Sequence, residues 1–468
     1  MPDKHYEAVV IGAGPGGYAA AIRLGQLGKK TLIIEKEAIG GTCLNFGCVP
    51  SKALISAADL YHKLDHSDAM GISVKEKAID FEKTQQWKGE VVGRLTGGVA
   101  QLLKGNEVDT LEGTARFKDA HSVLVETGEG EEEVTFDRAV IATGSRPFFL
   151  EGFEPDGEVV VGSRGALDFA EVPEKLLVIG GGYIGLELGI AYAKLGTGVT
   201  VVEMMDTLLP GSPKRLAKMV ERSCKKLEMD IHLKTKAKGL ERSGEKAVLT
   251  AEDREGEEKT FEADRVLVTI GRKPNTEGLD LEAAGLETDE KGFLSVDPQR
   301  RTEVEHIFAI GDVAGEPMLA HKAAKEGVVA AEVIAGEPAE YDYRAVPAVI
   351  FTEPEIAYVG LGKEEAEEGG YEVVTGRFPF QANGRALALD ETDGWVQVIG
   401  DGESGMLLGV QIVGPGAADL ISEACLALEM GARMEDVGYT MHPHPTLGEA
   451  VMEAAEGALG KAIHQLNR

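Results

Sequence analysis

Short runs of apolar residues alternate along this chain with glycine-rich turns and stretches of helical pattern, and the alternation predicts strand-turn-helix units. Residues 6–11 read as an apolar strand, the turn Gly12-Ala13-Gly14-Pro15-Gly16-Gly17 follows, and 18–27 read as a helix. A second strand, 31–34, ends in Glu35. The same order returns with a strand at 176–179, the turn Gly180-Gly181-Gly182-Tyr183-Ile184-Gly185, a helix, and a strand at 199–202 closed by Glu203. In both copies the acid lies 23 residues after the first glycine of the turn. A further segment also recurs, Ala139-Val140-Ile141-Ala142-Thr143-Gly144-Ser145-Arg146-Pro147 against Val266-Leu267-Val268-Thr269-Ile270-Gly271-Arg272-Lys273-Pro274.

Strand, glycine turn, helix and distal acid together describe a dinucleotide site. The glycines let the backbone approach a pyrophosphate, whose charge meets the helix N-terminus, and the acid holds a ribose diol. Two copies imply two dinucleotides. The fold class expected is α/β, with two Rossmann-like domains, the second inserted in the first. The predicted divisions are 1–147, an insertion 148–276, a return 277–345, and a final region 346–468 without glycine fingerprints. Within the return, 302–312 reads as an apolar strand ending in Gly311-Asp312, an acid suited to a flavin ribityl hydroxyl. Glu203, with Met204-Met205-Asp206 after it and no arginine, favours NAD over NADP, because a carboxylate repels a 2′-phosphate.

Directly behind the first unit lies Gly40-Gly41-Thr42-Cys43-Leu44-Asn45-Phe46-Gly47-Cys48-Val49-Pro50-Ser51-Lys52. Only four cysteines occur in 468 residues, too few for a disulfide-stapled chain, so this pair reads as a redox-active disulfide beside a flavin. Cys224 and Cys425 carry no motif, and Trp87 and Trp395 read as packing residues. The formal net charge of -31 excludes a nucleic-acid groove, which needs clustered Lys and Arg. Acidic runs such as Glu131-Glu132-Glu133 fit solvated surface. No apolar run approaches the ~20 residues of a membrane span. Met1-Pro2-Asp3-Lys4-His5-Tyr6 leads straight into a strand without a cationic, apolar leader, and a cytoplasmic protein is expected.

Near the end, His444 stands between Pro443 and Pro445, expected to hold an extended path, and Glu449 follows five residues later. A carboxylate on one ring nitrogen orients the other. Thiol exchange requires such a base, because only the thiolate attacks. The chain then reads as helical over 448–466.

On these motifs, with Pro317-Met318-Leu319-Ala320-His321-Lys322 in between, the sequence resembles the lipoamide-oxidising members of the pyridine nucleotide-disulfide oxidoreductase family, from residue 6 to the C-terminus. The resemblance implies an obligate homodimer with a C-terminal α+β dimerisation domain, one non-covalent FAD per subunit, and NAD. It makes Cys43 the thiol that exchanges with substrate and Cys48 the thiol beside the flavin. Lys52 is to pair with Glu187 near the flavin, and His444 with Glu449 is to serve the disulfide of the other subunit. Cofactor contacts around the first unit fall on Gly12, Gly14, Gly17, Glu35, Lys36, Gly41, Thr42, Lys52, Ala115, Thr143, Gly144, Ser145, Gly311, Asp312, Met318, Leu319 and Ala320. Around the second they fall on Gly180, Gly182, Tyr183, Ile184, Gly185, Glu187, Glu203, Ala237, Gly271 and Arg272, with Tyr183 covering the flavin until NAD arrives. No residue is assigned to a metal. Gly448 departs from the family, which usually has serine there, and so lacks a capping hydroxyl.

The activity implied is oxidation of protein-bound dihydrolipoamide with reduction of NAD+, on lipoyl-bearing subunits of 2-oxoacid dehydrogenase or glycine cleavage complexes. Two alternatives stand beside it: an NAD(P)H-dependent reductase of a small-thiol disulfide, and a flavoprotein acting as a docking subunit of a multienzyme complex.

Overall fold

The structure is a computed structural model that describes residues 4–467, with the side chain of Ser243 outside the description. Residues 1–3, on which the expected absence of a leader partly rests, lie outside the described residues.

The first sheet has seven strands. Its parallel part runs Asp109–Glu112, Thr31–Glu35, His5–Ile11, the end of Gly130–Ile141, then Ile307–Ala309. The start of Gly130–Ile141 continues into an antiparallel meander with Ser122–Thr127 and Thr114–Asp119. The second sheet repeats the parallel plan with Asp230–His232, Gly198–Val202, Lys175–Ile179, Arg265–Val268 and Val160–Val161. Its meander is a separate sheet, Lys236–Ser243, Lys246–Glu252 and Glu258–Ala263. The parallel strands read as unbroken apolar runs because both faces are covered; the meander strands alternate because one face meets water.

Between the two sheets the chain crosses twice, and the crossings pair: Ser145–Pro147 runs antiparallel to Arg272–Pro274. A third, five-stranded antiparallel sheet is ordered Ala348–Ile350, Ile356–Gly360, Leu407–Val413, Trp395–Asp401, Val373–Pro379. Helices Ala417–Glu429 and Glu449–Ala458 share its core.

Four expectations are corrected. Trp87 is 44% exposed, because the buried face of helix Phe81–Gly105 runs through Phe81, Lys88, Val99 and Leu103 and passes it by; Trp395 is buried. The stretch 302–312 is a strand only at Ile307–Ala309, since the Thr302 hydroxyl donates to the Ile307 carbonyl (2.8 Å) and folds 302–307 into a turn. The C-terminal helix ends at Ala458, and Gly460 follows at φ +67°. The loop bends at His444 and Pro445 instead of extending, and the Thr446 hydroxyl donates to the Pro443 carbonyl at 2.7 Å.

No helix among the described residues is long and apolar enough to cross a membrane. Glu131 and Glu133 pair with Arg116 (2.8 Å) and Lys118 (2.7 Å) and Glu132 with Lys4, so the acidic run is a solvated strand face.

Candidate active site

Each glycine of the two fingerprints has a distinct task. A Cβ on Gly12 would lie 2.4 Å from the Ala142 carbonyl oxygen, and one on Gly17 1.9 Å from that of Gly12. The equivalents Gly180 and Gly185 would meet the carbonyl oxygens of Thr269 (2.5 Å) and Gly180 (2.6 Å). A Cβ on Gly14 or Gly182 meets nothing within 4 Å, so these two face open space at helix N-termini that no side chain caps. Free amides beside an open approach fit a pyrophosphate at both places.

The distal acids repeat this correspondence bond for bond. Glu35 accepts from the amides of Ala13 (2.7 Å) and Glu37 (2.8 Å), and Glu203 from those of Gly181 and Met205 (both 2.6 Å). Each carboxylate is locked onto its own turn with lone pairs left for ribose hydroxyls. Thr235 and Lys234 return to the backbone of Glu203 and Met205, which brings the strand start bearing Ala237 to the same edge. Ile184 packs into the core behind it.

A cavity of about 300 Å³ is lined by Gly12, Glu35, Lys36, Ala115 and Thr143, with Asn275 and Leu279 opposite. Asn275 was not legible in the sequence. It closes the crossing by donating its amide N–H to Gly144 (2.9 Å) and its side chain to the Thr143 carbonyl (3.0 Å). Beside it, Arg272 donates to the Ser145 hydroxyl and carbonyl (both 2.8 Å), and the Ser145 hydroxyl donates to Asp312 at 2.5 Å. Arg272 therefore grips the crossing and, through Ser145, the Asp312 carboxylate. Gly271 adopts φ +142° and its carbonyl accepts from Phe148.

Gly311 and Asp312 are held from behind by a charge cluster that sequence reasoning also missed. Glu326, fully buried, accepts from the Gly311 amide (2.7 Å), Arg300 (2.8 Å) and Lys322 (3.1 Å). The only sequence signal is the pair Lys322 and Glu326, one turn apart on the helix that follows. Leu319 precedes that helix, Ala320–Ala335, so its first amides are free beside Met318 and Ala320.

The cysteine segment is folded onto the first fingerprint. Gly40 donates to the Ala13 carbonyl (2.8 Å), and Gly41, at φ +55°, is so close that a Cβ would lie 2.6 Å from Gly14 Cα. The short helix Gly41–Asn45, with Thr42 and Cys43, leads into the cysteine helix Cys48–Lys63. Cys43, half-buried, and Cys48, exposed at the start of its helix, are the expected redox pair. They are unequal. The neighbouring Cys43 side chain and the charge of Lys52 lower the Cys48 thiol to about 7, while Cys43 is raised. Of the two, Cys48 is the one whose surroundings favour the thiolate. Cys224 and Cys425 are pushed up by burial, to about 12 and about 11, and are unreactive.

Lys52 donates to Glu187 at 2.6 Å, and Glu187 also accepts from the Phe351 amide (2.9 Å). Tyr183 is 43% exposed as a residue, while its hydroxyl is raised by desolvation and by Asp312 and Glu187, against the charge of Arg272. At the far end, His444 Nδ1 lies 2.8 Å from Glu449, whose other oxygen accepts from the Thr446 amide (2.8 Å). Burial opposes ionisation of Glu449, but the Thr446 amide and His444 outweigh it and hold the carboxyl below its ordinary range. The amide anchor keeps Glu449 in place without a hydroxyl at residue 448. His444 is 78% exposed, and among the described residues nothing joins it to Cys43 or Cys48 within one chain. His442 is buried and bonded to Glu423 (2.8 Å) and the Thr440 carbonyl, a packing role, and His321 is bonded to the Pro347 carbonyl.

Comparison with known proteins agrees with this geometry. Dihydrolipoyl dehydrogenase of Haloferax volcanii is 53% identical over 99% of this chain and 98% of its own length, and that of Bacillus subtilis 52% identical over 98% and 97%. Among solved structures, LpdA of Mycobacterium tuberculosis superposes with a TM-score of 0.90 at 29% identity, covering 96% of this chain and 99% of its own. The HOCl-induced flavoprotein disulfide reductase RclA of Escherichia coli superposes at 0.87 with 26% identity, over 97% and 99%. Residues 6–327 match the pyridine nucleotide-disulphide oxidoreductase family and residues 346–455 its dimerisation domain, and the chain belongs to that family.

Proposed function

We propose that this chain oxidises dihydrolipoamide carried on lipoyl-bearing proteins and reduces NAD+, using FAD and the Cys43–Cys48 pair. The observation that carries the reading is the cysteine segment folded onto the first fingerprint, where a Cβ on Gly41 would lie 2.6 Å from Gly14 Cα and Lys52, bonded to Glu187 at 2.6 Å, follows Cys48 on the same helix. A lowered thiol at Cys48 and a raised one at Cys43 give a reduced pair with an electron-rich end and an exchangeable end. The exposed His444–Glu449 pair supplies the base, and the 50–53% identical relatives named dihydrolipoyl dehydrogenase support the substrate.

The residues fit both cofactors. Gly14, Glu35, Thr143 and Asp312 would hold FAD; Gly182 and Glu203 would hold NAD. When bound, FAD relays the electron pair between Cys48 and the nicotinamide. The chain itself handles sulfur and protons. His444 takes a proton from the substrate dithiol, the thiolate attacks Cys43, and the Cys43–Cys48 bond breaks with its electrons on Cys48. His444 hands its proton to the Cys43 sulfur as the second substrate sulfur displaces it and takes the second thiol's proton in turn, so the oxidised product closes and leaves a Cys43 thiol, a Cys48 thiolate and one proton on His444. Lys52, anchored by Glu187, keeps positive charge beside the Cys48 thiolate.

The base acts across a homodimer. His444 is free to reach a second copy, and the surrounding surface exposes Leu426, Met430, Tyr439 and Met441, a patch suited to burial against that copy. We place the division between units at 1–147, 148–276, 277–345 and 346–468, following the paired crossings. A chain with only four cysteines in 468 residues fits the reducing cytoplasm. Glu203 without a neighbouring arginine speaks against the NADPH-linked small-thiol reductases, and the complete thiol and base machinery against a docking subunit without catalysis.

The test mixes the flavin-loaded protein with dihydrolipoamide and NAD+ and follows NADH, with glutathione disulfide and NADPH in parallel. Rapid NADH formation and a silent parallel reaction are expected. The reverse pattern overturns the substrate assignment.

A further inference from the structure

The second fingerprint helix, Tyr183–Lys194, is buried nearly all round and carries only two charged residues, Glu187 and Lys194, at its start and its end. Both pair with the cysteine helix. Glu187 meets Lys52, and Lys194, with 3% of its side chain exposed, meets Asp59 at 2.5 Å. Lys52 and Asp59 are seven residues apart, as are Glu187 and Lys194. Two turns, roughly 10.5 Å, therefore separate two rungs on helices that run side by side in the same direction. The rungs have opposite polarity, so sliding or inverting one helix would bring like charges together.

Each rung is also gripped from the third region. The Phe351 amide donates to Glu187 (2.9 Å), and Glu353, two residues on, accepts from Lys194 at 2.5 Å. Burial works to discharge Lys194, and the carboxylates of Glu353 and Asp59 outweigh it, so the lysine stays charged. The first rung lies at the redox centre; the second lies two turns away and touches no reacting group.

We propose that Lys194 is a positioning residue for electron transfer: clamped between Asp59 and Glu353, it fixes the register of the second fingerprint helix on the cysteine helix, so that Glu187 and Tyr183 stay aligned with Lys52 and Cys48. This rests on the activity proposed above. A buried cation between two partly solvated carboxylates is the member to remove, since Lys194→Met leaves no buried charge unpaired, whereas removing both acids would strand the lysine.

The experiment compares the flavin-loaded wild type with Lys194→Met, Lys194→Arg and Asp59→Asn. It reads flavin reduction by NADH, dithiol reduction, and the thiolate-to-flavin charge-transfer absorbance of the two-electron-reduced protein. In Lys194→Met, reduction by NADH is expected to slow about tenfold with a weakened charge-transfer band, while dithiol reduction stays within about twofold. Lys194→Arg restores both, and Asp59→Asn, which keeps the Glu353 contact, lies between. Equal rates and bands in all four proteins overturn the proposal. So does a parallel fall of both half-reactions with loss of flavin, which would mark a merely structural lysine. A wild type that NADH reduces but dihydrolipoamide does not would sink the substrate assignment and still leave the NADH readings to decide the role of Lys194.

Discussion

The two nucleotide units use the same turn, the same acid and the same pair of amide bonds to that acid, yet their surroundings differ. The first is closed over. Helix Ala320–Ala335 packs so tightly on the fingerprint helix Pro15–Gln26 that a Cβ on Gly327 would lie 2.4 Å from the Gly16 carbonyl oxygen, and residues 275–279 wall the cavity opposite. The second unit opens to solvent, with Tyr183, Met204 and Met205 at its mouth 43%, 61% and 46% exposed. One fingerprint thus serves a resident cofactor and an exchanging one, and the difference lies in what the rest of the chain lays over it.

The hardest way to break this comparison is at the last glycine of each turn. Gly17→Ala forces its Cβ onto backbone at 1.9 Å and is expected to yield protein without flavin; Gly185→Ala should keep flavin and weaken NAD+ by about 1–3 kcal/mol. Flavin per chain and the KM for NAD+ measure this, and equal flavin loss in both variants would erase the distinction. Next in size is His444→Gln, which should slow reduction by dithiol about 10²–10⁴-fold and leave reduction by NADH nearly untouched. Rapid-mixing measurement of each half-reaction separates the two, and loss on both sides would show that the base is not confined to the dithiol side.

A gentler probe changes each acid. Glu203→Gln is expected to raise the KM for NAD+ about tenfold, roughly 1.4 kcal/mol, whereas Glu35→Gln in the closed unit should leave flavin bound through purification. Flavin released by Glu35→Gln alone during dialysis would contradict enclosure as the cause. The smallest effect is a titration. A thiol lowered to about 7 is ionised above that pH and protonated below it, so the charge-transfer absorbance of the reduced protein should be half-maximal near pH 7 and fade on acidification. A midpoint near the ordinary thiol value of 9.0 would mean that neither Cys43 nor Lys52 acts on Cys48.

Most of the site could be read along the chain because its parts are local: glycines two and five residues apart, an acid at a fixed distance, cysteines five apart. What escaped is non-local. Asn275, Glu326 with Arg300, and Lys194 with Asp59 and Glu353 lack any motif, and each acts by reaching an element distant in sequence. Trp87 misled for the opposite reason: an aromatic residue suggests burial, but one position decides which side of a helix faces the core.

The sequence by itself determined two nucleotide units, the thiol pair and the histidine with its acid, because turns, fingerprints and caps depend on neighbours within a few residues. Only the tertiary structure decided which unit is closed, which thiol lies beside the charged Lys52–Glu187 pair, and that His444 faces outward, because burial and charge-to-charge distance arise when segments far apart in the chain are packed against one another.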